Sequence, residues 1–220
     1  MRKLLVRSGV VLALLTSSLI GSTPASAEGF LDEPIPPPAD QVVIDLIAMA
    51  GSGCRPGTAD VAVSPDNTAF TVIYSDYLAQ AGPGLPVADG RKNCQINVLV
   101  HVPQGFTFAI AKVDHRGYAL VERGATAIQR ANYYFQGMSQ GSFTTHPLTA
   151  PLDDNWIATD EVEVAALVWR PCGELRNLNI NTELRVSRGS STGTSFVTMD
   201  STDGDISTVY HFKWQRCNQR

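Results

Sequence analysis

The stretch that decides the fold is Asn177-Leu178-Asn179-Ile180-Asn181-Thr182-Glu183-Leu184-Arg185-Val186. Apolar and polar residues alternate along most of it, and the apolar side chains share one face: Leu178, Ile180, Leu184 and Val186. Only a β-strand places successive side chains on opposite faces. The pattern therefore predicts a strand with one buried face and one polar face.

The same two-residue period recurs from Gln41 onward. Residues Cys94–Val102 alternate in this way, and Pro103-Gln104-Gly105 turns the chain into a further run, Phe106–Ile110. Other strand candidates follow the same criteria: Gln41–Ala48, Ala59–Ser64, Phe70–Tyr74, Tyr118–Glu122, Ile128–Phe135, Ser142–Leu148, Val162–Trp169, Ser195–Met199 and Ser207–Trp214. Turn residues separate many of them: Pro65-Asp66-Asn67, Gly82-Pro83-Gly84, Arg116-Gly117 and Asp203-Gly204. Many short strands with turns between them predict an all-β fold, an antiparallel β-sandwich with a barrel as the alternative.

Residues 1–27 have the layout of a secretory signal peptide. Three basic residues near the start precede the apolar run Val10–Leu15, and Ala25-Ser26-Ala27 forms a small-residue cleavage site. The apolar run is shorter than the roughly 20 residues that a membrane span needs. We therefore predict a signal peptide over 1–27, no membrane span, and a secreted, extracellular product.

The chain after the signal divides into a leader and a domain. Residues 28–40 contain Pro34, Pro36, Pro37 and Pro38, which disfavour sheet pairing and favour a flexible, extended leader. Residues 41–220 are enough for one hydrophobic core, so we predict a single β-sandwich domain there.

Four cysteines remain after the signal: Cys54, Cys94, Cys172 and Cys217. An even number in an exported chain indicates disulfides, and four cysteines allow three pairings. We favour Cys54–Cys94 and Cys172–Cys217 because each closes a local loop. A zinc site would need closely spaced pairs, which the sequence lacks.

The charge of the chain disfavours polyanionic partners. The formal net charge is −4, and removal of Arg2, Lys3 and Arg7 with the signal leaves about −7. We therefore expect no nucleic acid and no anionic membrane as the main partner. No cofactor motif is present, so we predict no cofactor.

Two features are candidates for ligand binding. Asp153, Asp154 and Trp156 follow Pro151 in a predicted loop, and an aromatic ring beside carboxylates is typical of sugar sites. Asn177, Asn179 and Asn181 would line one face of a strand, where their amides could bind polysaccharide or simply be solvated. A Trp that anchors the loop onto the core is the alternative at Trp156.

Two further motifs, an acidic cluster and a G-x-S-x-G match, each lack part of the pattern that their chemistry requires. Asp200, Asp203 and Asp205 surround a predicted hairpin tip, and their spacing does not match an EF-hand loop, so they form only a weak Ca²⁺ candidate. Gly137-Met138-Ser139-Gln140-Gly141 matches G-x-S-x-G, but no helix pattern follows it, which favours a hairpin turn over a hydrolase elbow. We predict no catalytic residues and no metal ligands beyond that weak candidate.

Nine ordered motifs resemble one exported family, the domain of unknown function 4360 (DUF4360) of actinobacteria and fungi. These motifs are Gly51–Cys54, Ser64–Phe70, Arg91–Cys94, His101–Phe106, Tyr133–Met138, Asp153–Trp156, Pro171–Gly173, Asn177–Thr182 and Met199–Asp203. The resemblance covers most of the chain after the leader, and it implies a secreted domain of this length with these cysteines. It implies no activity and assigns no catalytic residues.

Three classes of function agree with these observations. The first is a secreted, non-catalytic module that binds cell-wall or environmental polysaccharide. The second is an extracellular protein-interaction, inhibitor or structural surface protein. The third is an unrecognised hydrolase, which would need two carboxylates, or Ser139 and a histidine, to converge in a cleft.

Overall fold

The alternating segments form twelve strands in a computed structural model, which describes residues 35–163, 166–199 and 208–217. The strands are β1 (Val43–Ala50), β2 (Ala59–Val63), β3 (Ala69–Tyr74), β4 (Leu78–Ala81), β5 (Arg91–His101), β6 (Phe106–Val121), β7 (Thr126–Phe135), β8 (Gly141–Leu148), β9 (Leu152–Glu161), β10 (Leu178–Ser187), β11 (Ser195–Thr198) and β12 (Thr208–Arg216). A short 3-10 helix, Val87–Gly90, precedes β5.

The strands form two antiparallel sheets that pack face to face. The five-stranded sheet has the order β1-β5-β10-β7-β8, and the seven-stranded sheet has the order β2-β3-β12-β6-β11-β4 with β9 paired to β6. Strand β10 lies at the centre of the first sheet, and its four predicted inward residues, Leu178, Ile180, Leu184 and Val186, are all buried. The predicted all-β antiparallel sandwich is confirmed.

Strand β6 is longer than predicted because it runs straight through Arg116-Gly117, where we predicted a turn. Gly117 is needed there for close packing. A Cβ at this position would lie 1.9 Å from the Thr198 carbonyl oxygen and 2.7 Å from the Trp156 ring. The glycine therefore marks a tight contact inside the sandwich, and the predicted turn is wrong.

Strand β9 replaces the strand that we predicted over Val162–Trp169. The described residues of that segment are not in a strand, although Val162 N–H donates to the Ala111 carbonyl, and Arg170 N–H to the Phe108 carbonyl. Among the described residues, backbone hydrogen bonds thus join this segment to β6 at Val162 and just after its end, at Arg170. Strand β9 pairs with β6 instead, and the predicted loop over Asp153–Trp156 is wrong.

Both favoured disulfides are present. Cys54–Cys94 is buried and joins the loop after β1 to β5, whereas Cys172–Cys217 lies nearer the surface. Their sequence separations of 40 and 45 residues predict similar losses of entropy in the unfolded chain. The fold therefore carries one interior and one peripheral cross-link.

The end of the predicted leader is packed against the domain. Asn67, in the predicted turn Pro65–Asn67, is buried and has a positive φ of 55°. Its side-chain amide donates to the carbonyls of Pro38 and Asp40, at 3.0 and 2.9 Å, and its Oδ1 accepts from the Val42 N–H at 3.1 Å. Hydrogen bonds therefore join residues 38–42, at the boundary between the predicted leader and the domain, to the turn after β2.

Replacement of Asn67 by glycine is expected to lower the free energy of unfolding by at least about 2 kcal/mol. Glycine tolerates the positive φ, so the loss reports the three hydrogen bonds, and a buried group left without a partner costs about 1–3 kcal/mol. Urea unfolding measures the change. A variant within about 0.5 kcal/mol of the native protein would show that water replaces these bonds.

Candidate functional site

The segment Asp153–Trp156 does not assemble the site that its composition predicted. Trp156 pairs with Gly117 across β6 and belongs to the core, with 5% of its surface exposed. Asp153 and Asp154 are exposed, and the Tyr118 hydroxyl donates a hydrogen bond to Asp153. The buried ring presents no face for a sugar to stack on, so the ring and the carboxylates do not converge.

The asparagine row, in contrast, lies in a ladder of amides on the outer face of the five-stranded sheet. Asn179 faces Asn97 of β5 across the strand pair, and the Asn97 amide donates to Asn179 Oδ1 at 2.8 Å. The Asn177 amide donates to Asn97 Oδ1 at 2.6 Å. Asn181 lies in register between Gln95 of β5 and Asn132 of β7. The three predicted asparagines therefore share one surface with amides from two neighbouring strands.

A shallow groove of about 250 Å³ opens beside this ladder, and we call it the amide groove. Its outward-facing lining comes from four adjacent strands: Arg91, Asn93, Gln95, Arg130, Asn132, Phe143, Asn181 and Glu183. Phe143 of β8 is paired with Asn132 and is 68% exposed. The groove thus combines a row of amides with an exposed aromatic ring, Phe143, whereas we had predicted the aromatic ring of a binding site at Trp156.

The charged end of the amide groove is built around Glu183. Arg91 contacts Glu183 Oε2 at 2.5 Å, Arg185 contacts Oε1 at 3.0 Å, and Arg130 contacts Oε1 at 3.7 Å. The carboxylate is largely covered, with its side chain 12% exposed. One carboxylate therefore lies within ion-pair distance of three guanidinium groups on the outer face of β5, β7 and β10, and Arg91 is hydrogen-bonded to it.

A second polar cluster, which sequence analysis missed, lies between the sheets at Asp160 of β9. Asp160 Oδ2 accepts from the Tyr133 hydroxyl at 2.7 Å and from the Thr144 hydroxyl at 2.9 Å, and it lies 3.3 Å from His115 Nε2. Asp160 Oδ1 lies 2.5 Å from His146 Nε2. The carboxylate therefore connects β6, β7, β8 and β9, and it ties the edge of one sheet to the other.

Hydrogen bonding decides the charge state of this cluster. Burial by itself would raise the pKa of Asp160, but hydrogen bonds from His115, His146 and Tyr133 outweigh it and hold the pKa below its usual value. Burial and the adjacent Asp160 charge raise the pKa of Tyr133 well above its ordinary value. The cluster is therefore an ionised aspartate that accepts hydrogen bonds from neutral Tyr133 and from its other partners.

The sequence matches the family described as a domain of unknown function (DUF4360) over residues 40–217. The chain belongs to this family. This DUF4360 chain is similar in sequence to an uncharacterized secreted protein of Arthroderma benhamiae. The two are 36% identical over 181 residues, which cover 82% of this chain and 74% of the relative.

Two solved structures match this DUF4360 protein at low sequence identity and low TM-score. One is the enzymatically active domain of tailspike protein 4 from bacteriophage CBA120, at 10% identity and a TM-score of 0.25, covering 77% of this chain and 19% of that chain. The other is deformed wing virus, a honeybee pathogen, at 9% identity and a TM-score of 0.26, covering 100% of this chain and 66% of that chain. This chain thus spans about a fifth of the tailspike chain and about two thirds of the deformed wing virus chain.

The remaining candidates of the DUF4360 chain have separate outcomes. Ser139 is exposed in the turn between β7 and β8, where the Met138 N–H donates to the Phe135 carbonyl, as expected of a hairpin turn. Asp200, Asp203 and Asp205 lie outside the described residues, as does the predicted signal peptide. Within the described ranges, no group of three acidic, histidine or cysteine ligands is placed to hold a metal ion, and no helix is long and apolar enough to cross a membrane.

The sequence carries only part of the signal for Phe143. The predicted strand over Ser142–Leu148 places Phe143 on the face opposite to that of Ser142 and Thr144, but the sheet order decides which face is outside. The Asp160 cluster carries no such signal, because its members come from strands that only the sheet order brings together.

Proposed function

We propose that this protein is a secreted, non-catalytic module that binds polysaccharide through the amide groove. The observation that carries the proposal is the exposed Phe143 ring beside Asn132 on a sheet face lined with amides. Sugar rings stack on aromatic side chains through their apolar faces, while their hydroxyls bond to polar groups around them.

The amides suit the hydroxyl groups of a sugar. Each Asn or Gln side chain carries two donors and an acceptor with two lone pairs, so one amide can serve a hydroxyl as donor or as acceptor. Asn97, Asn177 and Asn179 hold one another in place through their hydrogen bonds. Gln95, Asn132 and Asn181 line the groove beside them. The surface is therefore pre-ordered at one end and polar along its length.

Three features support secretion. The N-terminal residues have the layout of a signal peptide, the relative from Arthroderma benhamiae is described as secreted, and two disulfides cross-link the domain. Expression of the full chain in a secreting host should release a product that begins at Glu28, which N-terminal sequencing of the medium protein checks.

The binding proposal is tested by depletion of the secreted protein from solution by insoluble chitin, cellulose, β-glucan and peptidoglycan and by bead-bound polygalacturonate. We expect depletion by at least one of them. Phe143→Ala should weaken that binding about tenfold or more, because a bound sugar covers the exposed ring and the burial of a Phe side chain contributes about 1.5–3 kcal/mol. Phe143→Tyr keeps the ring and should bind nearly as well as the native protein.

Ile157→Ala is the matched control, because Ile157 is 66% exposed on β9 of the other sheet. It should bind as the native protein does. Lack of depletion on all five polymers, or equal loss in the Phe143 and Ile157 variants, contradicts polysaccharide binding at the amide groove.

A protein-interaction role is the second candidate, and strand β1 favours it. Among the described residues, β1 pairs with β5 alone, and its outward Val43 and Ile47 are about half exposed. An unpaired sheet edge is a template on which another chain can add a strand. Depletion by none of the polymers would direct the search to a protein that binds at this edge, with Ile47→Lys as the blocking variant.

A further inference from the structure

The amide groove carries a surplus of positive charge on a chain that is acidic as a whole. Arg91 and Arg130 line the groove beside Glu183, which is the only acidic residue among its described lining residues. The lining therefore has one surplus positive charge. Arg185, which contacts Glu183 but is not part of the lining, adds a second, whereas the chain as a whole has a formal net charge of −4. The groove therefore differs in sign from the chain as a whole and attracts anions locally.

We infer that the polysaccharide bound at the amide groove is acidic, with carboxylates on its sugar rings. This inference rests on the proposed function and adds the class of polysaccharide. A guanidinium group is planar and pairs with a carboxylate through two parallel hydrogen bonds, so it recognises that group by shape as well as by charge.

The positions of the ring and the charges suit such a polymer. Arg130 lies two residues from Asn132 along β7, which is about 7 Å in an extended strand, and Phe143 is the cross-strand partner of Asn132. A sugar ring stacked on Phe143 thus has a guanidinium group one side-chain position away. A carboxylate on that ring or on the next ring of the polymer reaches Arg130.

Glu183 acts as a positioning residue for these arginines. Its two oxygens contact Arg91, Arg130 and Arg185, and the side chain lies beneath them with little exposure. Of the three contacts, the one to Arg130 is the longest, at 3.7 Å, and it leaves the guanidinium group able to turn toward a ligand. Arg91 is hydrogen-bonded to Glu183, so less binding energy is spent on ordering its side chain.

The test compares the secreted full chain on polygalacturonate and on its methyl ester, which has the same backbone with its carboxylates neutralised. We expect at least tenfold tighter binding to the acid form at low salt, where the Debye length is about 30 Å, and loss of that preference at 1 M salt, where it is about 3 Å. The double variant Arg130→Gln/Arg185→Gln removes both surplus charges and leaves Arg91 paired with Glu183. It should lose most of the preference, and its melting temperature checks that Arg91 alone still holds the largely covered Glu183 carboxylate.

Arg116→Gln is the matched control, since Arg116 is an exposed strand arginine on the other sheet. It should retain the preference for the acid form. Equal binding to the acid form and the methyl ester, or a double variant that keeps the preference, overturns the inference. If that binding still depends on Phe143, the proposed function stands. Equally tight binding to dextran sulfate or to a single-stranded oligothymidylate would also overturn it, because the groove would then respond to any polyanion. Binding to none of these polymers overturns the inference alone if one of the neutral polysaccharides still depletes the protein, and it contradicts both proposals if none of them does.

Discussion

Replacement of Asp160 by Asn is expected to lower the free energy of unfolding by about 3–5 kcal/mol. Asp160 is buried, and its carboxylate is bonded to Tyr133, Thr144 and His146 with His115 at 3.3 Å. Removal of one member of a buried, hydrogen-bonded charge cluster leaves its partners without their acceptor, which costs about that amount. The carboxylate also ties β8 to β9, so the loss opens the contact between the sheet edges. Urea denaturation monitored by Trp fluorescence measures this change in the free energy of unfolding.

The acid limb of the stability curve gives an independent readout. The native pKa of Asp160 lies below the unfolded value of about 3.9, so the stabilisation is fully present above that pH and is lost as pH falls through the native pKa. The native protein should therefore lose stability more steeply below about pH 4 than Asp160→Asn does. The histidines that face Asp160, His115 and His146, are present in both proteins.

Asp154→Asn is the control for both measurements, because Asp154 is exposed on the same strand. It should change stability by no more than about 0.5 kcal/mol. A loss at Asp160 no larger than that at Asp154 would show that the cluster contributes nothing beyond an ordinary surface carboxylate.

Removal of the Cys54–Cys94 disulfide is expected to lower the free energy of unfolding by about 4 kcal/mol or more. Without this disulfide a loop of 40 residues is open in the unfolded chain. The added entropy stabilises the unfolded state by about 4 kcal/mol on the loop-closure model. Both sulfurs are also buried in the core, so Cys54→Ala/Cys94→Ala adds a loss of packing. Urea denaturation of the purified double variant measures the change.

The Cys172–Cys217 disulfide provides a matched comparison. Its separation of 45 residues predicts nearly the same entropic cost, but Cys172 is exposed. Cys172→Ala/Cys217→Ala should therefore cost less than the Cys54/Cys94 variant by the packing contribution. We also expect a mild reductant to open Cys172–Cys217 first, as read by thiol labelling and mass spectrometry. Equal labelling of both pairs would contradict the difference in burial.

The parts of the fold that were predictable are those set by local pattern. Strand β10 alternates over its own ten residues, and its inward side chains are buried wherever the strand is placed in the sheet. The disulfide pairing followed from loop length. Strand β9 was missed because Leu152-Asp153-Asp154-Asn155 does not alternate: Leu152 is packed against the core, but Asp154, on the same face, is exposed, and regular alternation begins only at Trp156.

The sequence by itself determined an all-β sandwich, its two disulfides and a polar amide row, because the two-residue period of a strand and the number of cysteines are properties of the chain alone. Only the tertiary structure decided that Trp156 packs inside while Phe143 stands outside on the same face as Asn181. It also decided that Asp160 meets His146, and that three arginines share Glu183. These contacts join residues from different strands, and the order of strands in a sheet is fixed by the packing of the whole core, which no local period encodes.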